Sequence, residues 1–385
     1  MNRLKLLLAL VLFPLCAPAA APVPIAPTVA IEWDRASARA VFPGGYGRVR
    51  QLRSGDLMLV YSHGTAALAS TSRDRGVTWE PPVKVAEHEG WFDTNSELIE
   101  LDNGWLVYGL NSRPTRANEG KLPYVIRTLI SRDGGRSWGD ERDVFVGGKI
   151  FGDGCWEPAF LQLPSGELQL YFANEAPYPA SEEQEISLAR SFDRGLTWSA
   201  PEMIAFRRGK RDGMPVPVLL EDSQTIVCAI EDDGFDGEFK PVTIRTSLEA
   251  NWSDGPVLAD DPRRAGALAA EVALDAAVYA GAPYLAQLAS GETLLVVQSA
   301  EGRSADRKHT LPVVYVSARE ARDFTRPTSP FNWLPAEAAA EWNSLTVVDT
   351  STVMLITTVR DFETEQGGRG GATVWTITGR VVRDE

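Results

Sequence analysis

The sequence predicts an all-β chain folded as a six-bladed β-propeller, and two internal repeats predict it. The first is a box, Ser-x-Asp-x-Gly-x-Ser/Thr-Trp, at residues 72–79, 131–138 and 191–198, spaced 59 and then 60 residues apart. The second is a Leu-x-x-Gly-x-Leu core starting at Leu52, Leu101, Leu163, Leu220 (where Ser223 replaces Gly), Leu288 and, in its most degenerate copy, Val348. From Leu52 to Val348 is 296 residues over five intervals, about 59 per unit, which suits a four-stranded blade with its loops.

Within a unit, the Leu-x-x-Gly stretch is a tight turn between two apolar runs and so forms the inner hairpin of a blade. The box turns the outer hairpin. Its Asp caps turn N–H groups, its Gly supplies a positive φ and its Trp covers the apolar side. A degenerate fourth box ends at Trp252. Six such sheets set radially leave only short edges, and residues 29–33 are expected to pair with residues 372–382 to join the last blade to the N-terminus.

Length alone, 385 residues, would suggest two or three domains, but the repeats override that prior and make residues 22–385 a single propeller domain. Residues 1–21 match a secretory signal peptide: Arg3 and Lys5, an apolar run from Leu6 to Leu15, then a small-residue tract. Cys16 could accept a lipid, but Leu15 before it is larger than such sites usually take. The expectation is therefore a secreted or periplasmic chain. No later run reaches the ~18 to 20 apolar residues of a membrane span. The net charge of −14 is spread along the chain and argues against nucleic acid or anionic membrane as partners. Cys155 and Cys228 admit one pairing, and two buried thiols are the expectation. His63, His88 and His309 are too scattered for a metal site, and the acidic stretch 231–238 reads as a solvated loop. A monomer without cofactor is expected.

Superposing the units aligns Tyr46-Gly47-Arg48, Asn95-Ser96-Glu97, Glu157-Pro158-Ala159, Met214-Pro215-Val216, Ala282-Pro283-Tyr284 and Trp342-Asn343-Ser344 at the starts of the inner strands. The second strands should return to the same rim at Ser62-His63, Asn111-Ser112-Arg113, Asn174-Glu175, Glu231-Asp232-Asp233, Ser299-Ala300-Glu301 and Arg360-Asp361. Columns that diverge in an otherwise regular repeat are where function is placed. The third hairpin alone puts Glu157 and Glu175 on one face, because its strands run antiparallel. Aligning all six units moves the partner of Glu157 to Glu231, in the next blade, and leaves Glu175 behind it or against substrate. Two carboxylates converging at the mouth of a propeller funnel suit glycoside hydrolysis, one protonated as general acid and the other ionised as nucleophile. Arg48 and Arg113 serve either as counter-ions or as planar forks for a substrate.

The boxes resemble the Asp-box repeats of the sialidase superfamily. More closely, Trp156-Glu157-Pro158 with the hairpin at 163–171, then Arg211-Asp212-Gly213-Met214-Pro215 leading to Glu231, then Gly281-Ala282-Pro283-Tyr284, resemble glycoside hydrolase family 93, over residues 46 to 354. That resemblance implies an exo-acting α-L-arabinanase on a six-bladed propeller, with Glu157 at the nucleophile position and Glu231 at the acid/base position of a retaining mechanism. An oligo- or polysaccharide substrate is expected, held by Arg48, which matches an arginine of that family, and by Glu97, Arg113, Trp156, Glu175, Met214, Tyr284 and Trp342 around the same rim. The position of the sialidase catalytic tyrosine reads Trp342, a departure from that branch. An exo-α-sialidase and a glycan-binding propeller without catalysis stand as alternatives.

Overall fold

A computed structural model describes residues 26–303, 307–362 and 371–384. The signal segment and Cys16 lie outside them. Strand β1 (Val29–Pro43) is the first of the described strands, which form six sheets of four antiparallel strands each. Blade 1 comprises β2 (Gly45–Gln51), β3 (Leu57–His63), β4 (Ala66–Ser72) and β5 (Val83–Ala86); blade 2 comprises β6 (Trp91–Glu100), β7 (Leu106–Pro114), β8 (Val125–Ser131) and β9 (Gly139–Val146). Blade 3 is β10 (Cys155–Gln162), β11 (Leu168–Asn174), β12 (Glu185–Ser191) and β13 (Glu202–Ala205); blade 4 is β14 (Asp212–Leu219), β15 (Thr225–Asp232), β16 (Lys240–Ser247) and β17 (Arg264–Gly266). Blade 5 holds β18 (Ala280–Gln287), β19 (Thr293–Ser299), β20 (Leu311–Ser317) and β21 (Thr325–Thr328). Blade 6 holds β22 (Ala339–Asp349), β23 (Thr352–Arg360) and β24 (Thr373–Arg383), and takes β1 as its outermost strand, Val29 facing Arg383 and Trp33 facing Gly379. The ring closes where the sequence places the closure.

The inner-hairpin turns explain the Leu-x-x-Gly repeat. Gly55, Gly104, Gly166 and Gly291 all have φ between 81° and 101°, and Ser223 takes φ 53° in the same place. Each donates its N–H to the carbonyl of the Leu three residues back. The three boxes form one turn in triplicate. Ser72, Ser131 and Ser191 accept from the amides of Gly76, Gly135 and Gly195 at 2.7–2.8 Å, while Asp74, Asp133 and Asp193 accept from the backbone and hydroxyl of Thr78, Ser137 and Thr197. These bonds hold the Asp74 carboxyl down at about 2.

Apolar layers fill the spaces between neighbouring blades, the largest running through blades 4 to 6 and another through blades 2 to 4. Cys155 and Cys228 are buried free thiols in the second layer, pushed far above the usual thiol range by burial. Among the described residues no helix is long and apolar enough to cross a membrane.

Candidate active site

Every inner strand breaks register at the same point. The shifts fall between Gly45 and Arg48, Thr94 and Glu97, Trp156 and Ala159, Gly213 and Val216, Gly281 and Tyr284, and Glu341 and Ser344. The residue inside each bulge has positive φ, from 48° to 58°: Tyr46 (54°), Asn95 (51°), Glu157 (58°), Met214 (48°), Ala282 (49°) and Trp342 (53°). None is glycine, so each left-handed backbone costs of order 1 kcal/mol, maintained by the surrounding ladder. A bulge re-aims a side chain, and six in ring register aim one per blade. Tyr46, Met214 and Ala282 form an apolar cluster with Trp342 packed against it. Glu157 is the one carboxylate among the six.

The bulges also present an amide to the preceding blade. Tyr46 donates to Thr358 Oγ1 at 2.9 Å, Trp342 to Gln298 Oε1 at 2.9 Å and Ala282 to Glu231 Oε2 at 2.7 Å. Met214 follows the rule with a variation: its amide bonds the carboxylate of Glu157. The residues opposite the bulges explain why. Ser62, Asn111, Ala173, Glu231, Gln298 and Thr358 pair across from Gly45, Thr94, Trp156, Gly213, Gly281 and Glu341. Blade 3 has Ala173 in this column and no acceptor there, so Glu157 supplies one from the bulge itself.

This column corrects the expected one in three blades. Asn174-Glu175, Ser299-Ala300-Glu301 and Arg360-Asp361 are not the counterparts of Glu231; Ala173, Gln298 and Thr358 are. In blades 3 and 5 the cause is one extra residue in the fourth turn, where the Leu220 amide donates to the carbonyl of Thr225, five residues on, while the amides of Leu52, Leu101, Leu163 and Leu288 donate to the carbonyl four residues on; in blade 6 the expected Arg360 lies two residues past Thr358. A fixed offset counted from Leu220 therefore overshoots elsewhere. The acidic stretch 231–238 also needs correcting, because it is not solvated throughout. Asp232 is fully buried, and Arg264 bridges it at 2.7 Å to Asp212 at 2.6 Å, with Arg207 on its other side at 3.0 Å. Since Asp212 pairs with Asp232 and Gly213 with Glu231, this ionic knot pins the strand ends that carry Glu231.

Glu157 and Glu231 are close enough for the charge of Glu231 to act on Glu157. Burial first, then that charge, push the Glu157 carboxyl up to about 8, against Arg113, Arg48 and the Met214 amide. Glu231 is raised as well, by burial, with the Ala282 amide, Arg211 and Arg307 opposing and Asp233 assisting. Two carboxyls coupled in this way give up their protons in steps that belong to the pair.

The other expected residues divide into two groups. Arg48, Glu97 and Tyr284 are all buried and meet across the axis beneath the bulges: Tyr284 donates to Glu97 at 3.3 Å, Arg50 pairs with Glu97 at 3.2 Å and Arg48 approaches it at 3.8 Å. Arg48 also donates to the Trp342 carbonyl at 2.8 Å and lies 4.1 Å over the Tyr46 ring. With Glu157 and Met214 they line a small axial cavity. The second group surrounds Trp156. Arg113 sits 5.0 Å over its ring, Phe151 and Tyr124 pack at 4.7 and 4.9 Å, and its Nε1 donates to buried Glu175 at 2.9 Å. Glu175 also grips Arg211, so it orients the groups that face the pair. Trp342 stands beside Tyr46 with Arg360 5.3 Å above it.

Two residues went unnoticed in the sequence. Arg211 stands within a quoted motif, but only the fold turns it toward Glu231. Tyr279 lies outside the compared columns, three residues before the Ala282 bulge, and nothing in the repeat marks it.

No family model matches the chain, and no curated protein matches it. Solved structures do. An α-L-arabinofuranosidase from Fusarium graminearum, solved with an iminosugar inhibitor, is 18% identical with a TM-score of 0.65, over 90% of this chain and 97% of its own. An α-L-arabinanase from Penicillium chrysogenum, solved with arabinobiose, is 16% identical with a TM-score of 0.62, over 94% and 99%. A protein of unknown function from Dyadobacter fermentans is 14% identical with a TM-score of 0.66, over 92% and 100%. At such identities the likeness is one of fold: the chain is a six-bladed β-propeller of the architecture shared by arabinan-degrading enzymes and sialidases.

Proposed function

We propose that the chain is an exported, exo-acting, retaining glycoside hydrolase that releases terminal units from an arabinan-like polysaccharide. The observation that carries the reading is the Glu157 and Glu231 pair. Two carboxylates come from adjacent blades, each is bonded by a bulge amide of the next blade, and burial raises both. A retaining mechanism needs one proton between two such groups. Burial and the charge of Glu231 favour a proton on Glu157. A glycosidic oxygen that accepts from Glu231 favours the proton there, leaving Glu157 ionised to attack the anomeric carbon while Glu231 protonates the leaving oxygen and later activates water.

The sugar follows from the residues around the pair. Arg48 is spent on Glu97, the Trp342 carbonyl and the Tyr46 ring, so it offers no free fork for a sugar carboxylate, and the bulge ring is largely apolar. That favours a neutral sugar over a sialoside. The similarity to the arabinofuranosidase and arabinanase folds supports arabinose, and the N-terminal motif supports export. A panel of synthetic glycosides tests the assignment: cleavage of α-L-arabinofuranosides, abolished in both Glu157→Ala and Glu231→Ala without loss of folding, is expected. Cleavage of sialosides alone, or full activity in either variant, would refute it.

A further inference from the structure

The segment that enters β18 meets Glu231 at successive points. The Ala282 amide donates to Oε2 at 2.7 Å. Gly281 leaves open the space in front of its α-carbon, where a β-carbon would lie 2.3 Å from Glu231 Oε2 and 2.6 Å from the Tyr279 hydroxyl. The two oxygens thus converge on one small volume that only glycine vacates.

The Tyr279 ring is held in place. Phe239 meets it edge-on at 6.2 Å and 81°, Arg307 lies 5.2 Å over it, and its carbonyl accepts from Ala300 at 2.9 Å. Its hydroxyl has no hydrogen-bond partner among the described residues. Tyr279 is half-buried, its ring held against Phe239 and Arg307 and its hydroxyl turned towards the space beside Glu231. Burial, then the charges of Glu231 and Glu157, drive this phenol well above its ordinary value against the pull of Arg307, so it stays a donor and is no nucleophile.

We propose that Tyr279 is a positioning residue for Glu231, its hydroxyl donating to the ionised Oε2 so that it and the Ala282 amide form a two-donor cradle. A small rotation of the side chain brings the hydroxyl onto the oxygen it already faces across Gly281. The other charged groups bearing on Glu231 are Arg211 ahead of β14, Asp233 after β15, Arg307 beyond β19 and Glu157 in β10. Asp212 and Asp232 are engaged by Arg264. Tyr279→Phe removes one oxygen and leaves the ring, its packing and all these charges in place.

The structural part of this assignment stands apart from the proposed function; only its catalytic consequence rests on that reading. The test is a carbon NMR titration of side-chain-labelled glutamate in the wild-type protein and Tyr279→Phe, with Glu231→Gln assigning the resonance. Loss of a donor to the charged form should raise the Glu231 midpoint by about half a unit or more. An unchanged midpoint overturns the proposal. The titration needs no turnover, so a shift in a protein that cleaves no glycoside would refute the hydrolase and leave the cradle standing. In an active enzyme, the limb of the pH profile set by Glu231 should move with the midpoint. A higher KM with an unmoved profile would assign the hydroxyl to substrate and overturn the positioning role.

Discussion

Ala282 in blade 5 and Glu231 in blade 4 are joined by a 2.7 Å hydrogen bond from a bulge amide to a carboxylate oxygen. The bond exists because a non-glycine residue accepts φ 49° there, and because Gly281 beside it leaves room for the carboxylate. Gly281→Ala would put a methyl 2.3 Å from Oε2, closer than any stable contact, so Glu231 must move. A displacement of about 1 Å costs a catalytic group about 10²-fold. The expected result is a fall of that order in kcat/KM with an unchanged circular dichroism spectrum.

Glu157 should weaken the fold that holds it. Its carboxyl stands at about 8 against an ordinary 4.5, so the folded chain binds the proton more tightly than the unfolded chain. That contribution is fully present below about 4.5 and is lost as pH rises through 8. Glu157→Gln removes the loss. It should stabilise the protein at pH 8 by about 1–2 kcal/mol, after allowance for the partial exposure of the group, and by nothing measurable at pH 4. Thermal melts of both proteins at the two pH values check this.

Arg264 is the buried cation between Asp212 and Asp232. Arg264→Met leaves Asp212 without its ion pair, facing an Asp232 that keeps only Arg207, and should destabilise by about 3–5 kcal/mol in denaturant titrations at pH 7.5. Burial already raises the Asp212 carboxyl above its ordinary value despite Arg264. Without the arginine it is protonated more readily, so the variant should recover part of its deficit at pH 5. Because the same knot fixes the strand ends at Gly213 and Glu231, activity at pH 7.5 should fall by more than the unfolded fraction explains.

The architecture was legible because it repeats. Leu-x-x-Gly turns need a positive φ and the boxes need their Ser and Asp acceptors, so backbone geometry left five and three copies of its requirements in the chain. Glu157 was legible for the same reason, as the odd residue in an aligned column. The facing column is placed as expected in blades 1, 2 and 4, at Ser62, Asn111 and Glu231, one residue out in blades 3 and 5 and two out in blade 6. Tyr279 and Arg211 left no periodic mark. They reach the site through loops individual to one blade, and Arg211 is aimed by Glu175, 36 positions away in sequence. Buried Asp232 was misread as solvated because its partner, Arg264, lies two strands further on.

In the proposed reaction Glu157 attacks and Glu231 moves the proton. The most direct measurement is the anomeric configuration of the glycosyl azide formed when azide rescues Glu157→Gly and Glu231→Ala on an activated α-L-arabinofuranoside. The account predicts the inverted azide from Glu157→Gly, where azide replaces the missing nucleophile, and the retained azide from Glu231→Ala, where azide opens the glycosyl-enzyme. The reverse pattern would exchange the two roles, and no turnover of the arabinofuranoside by the unaltered protein would contradict the account.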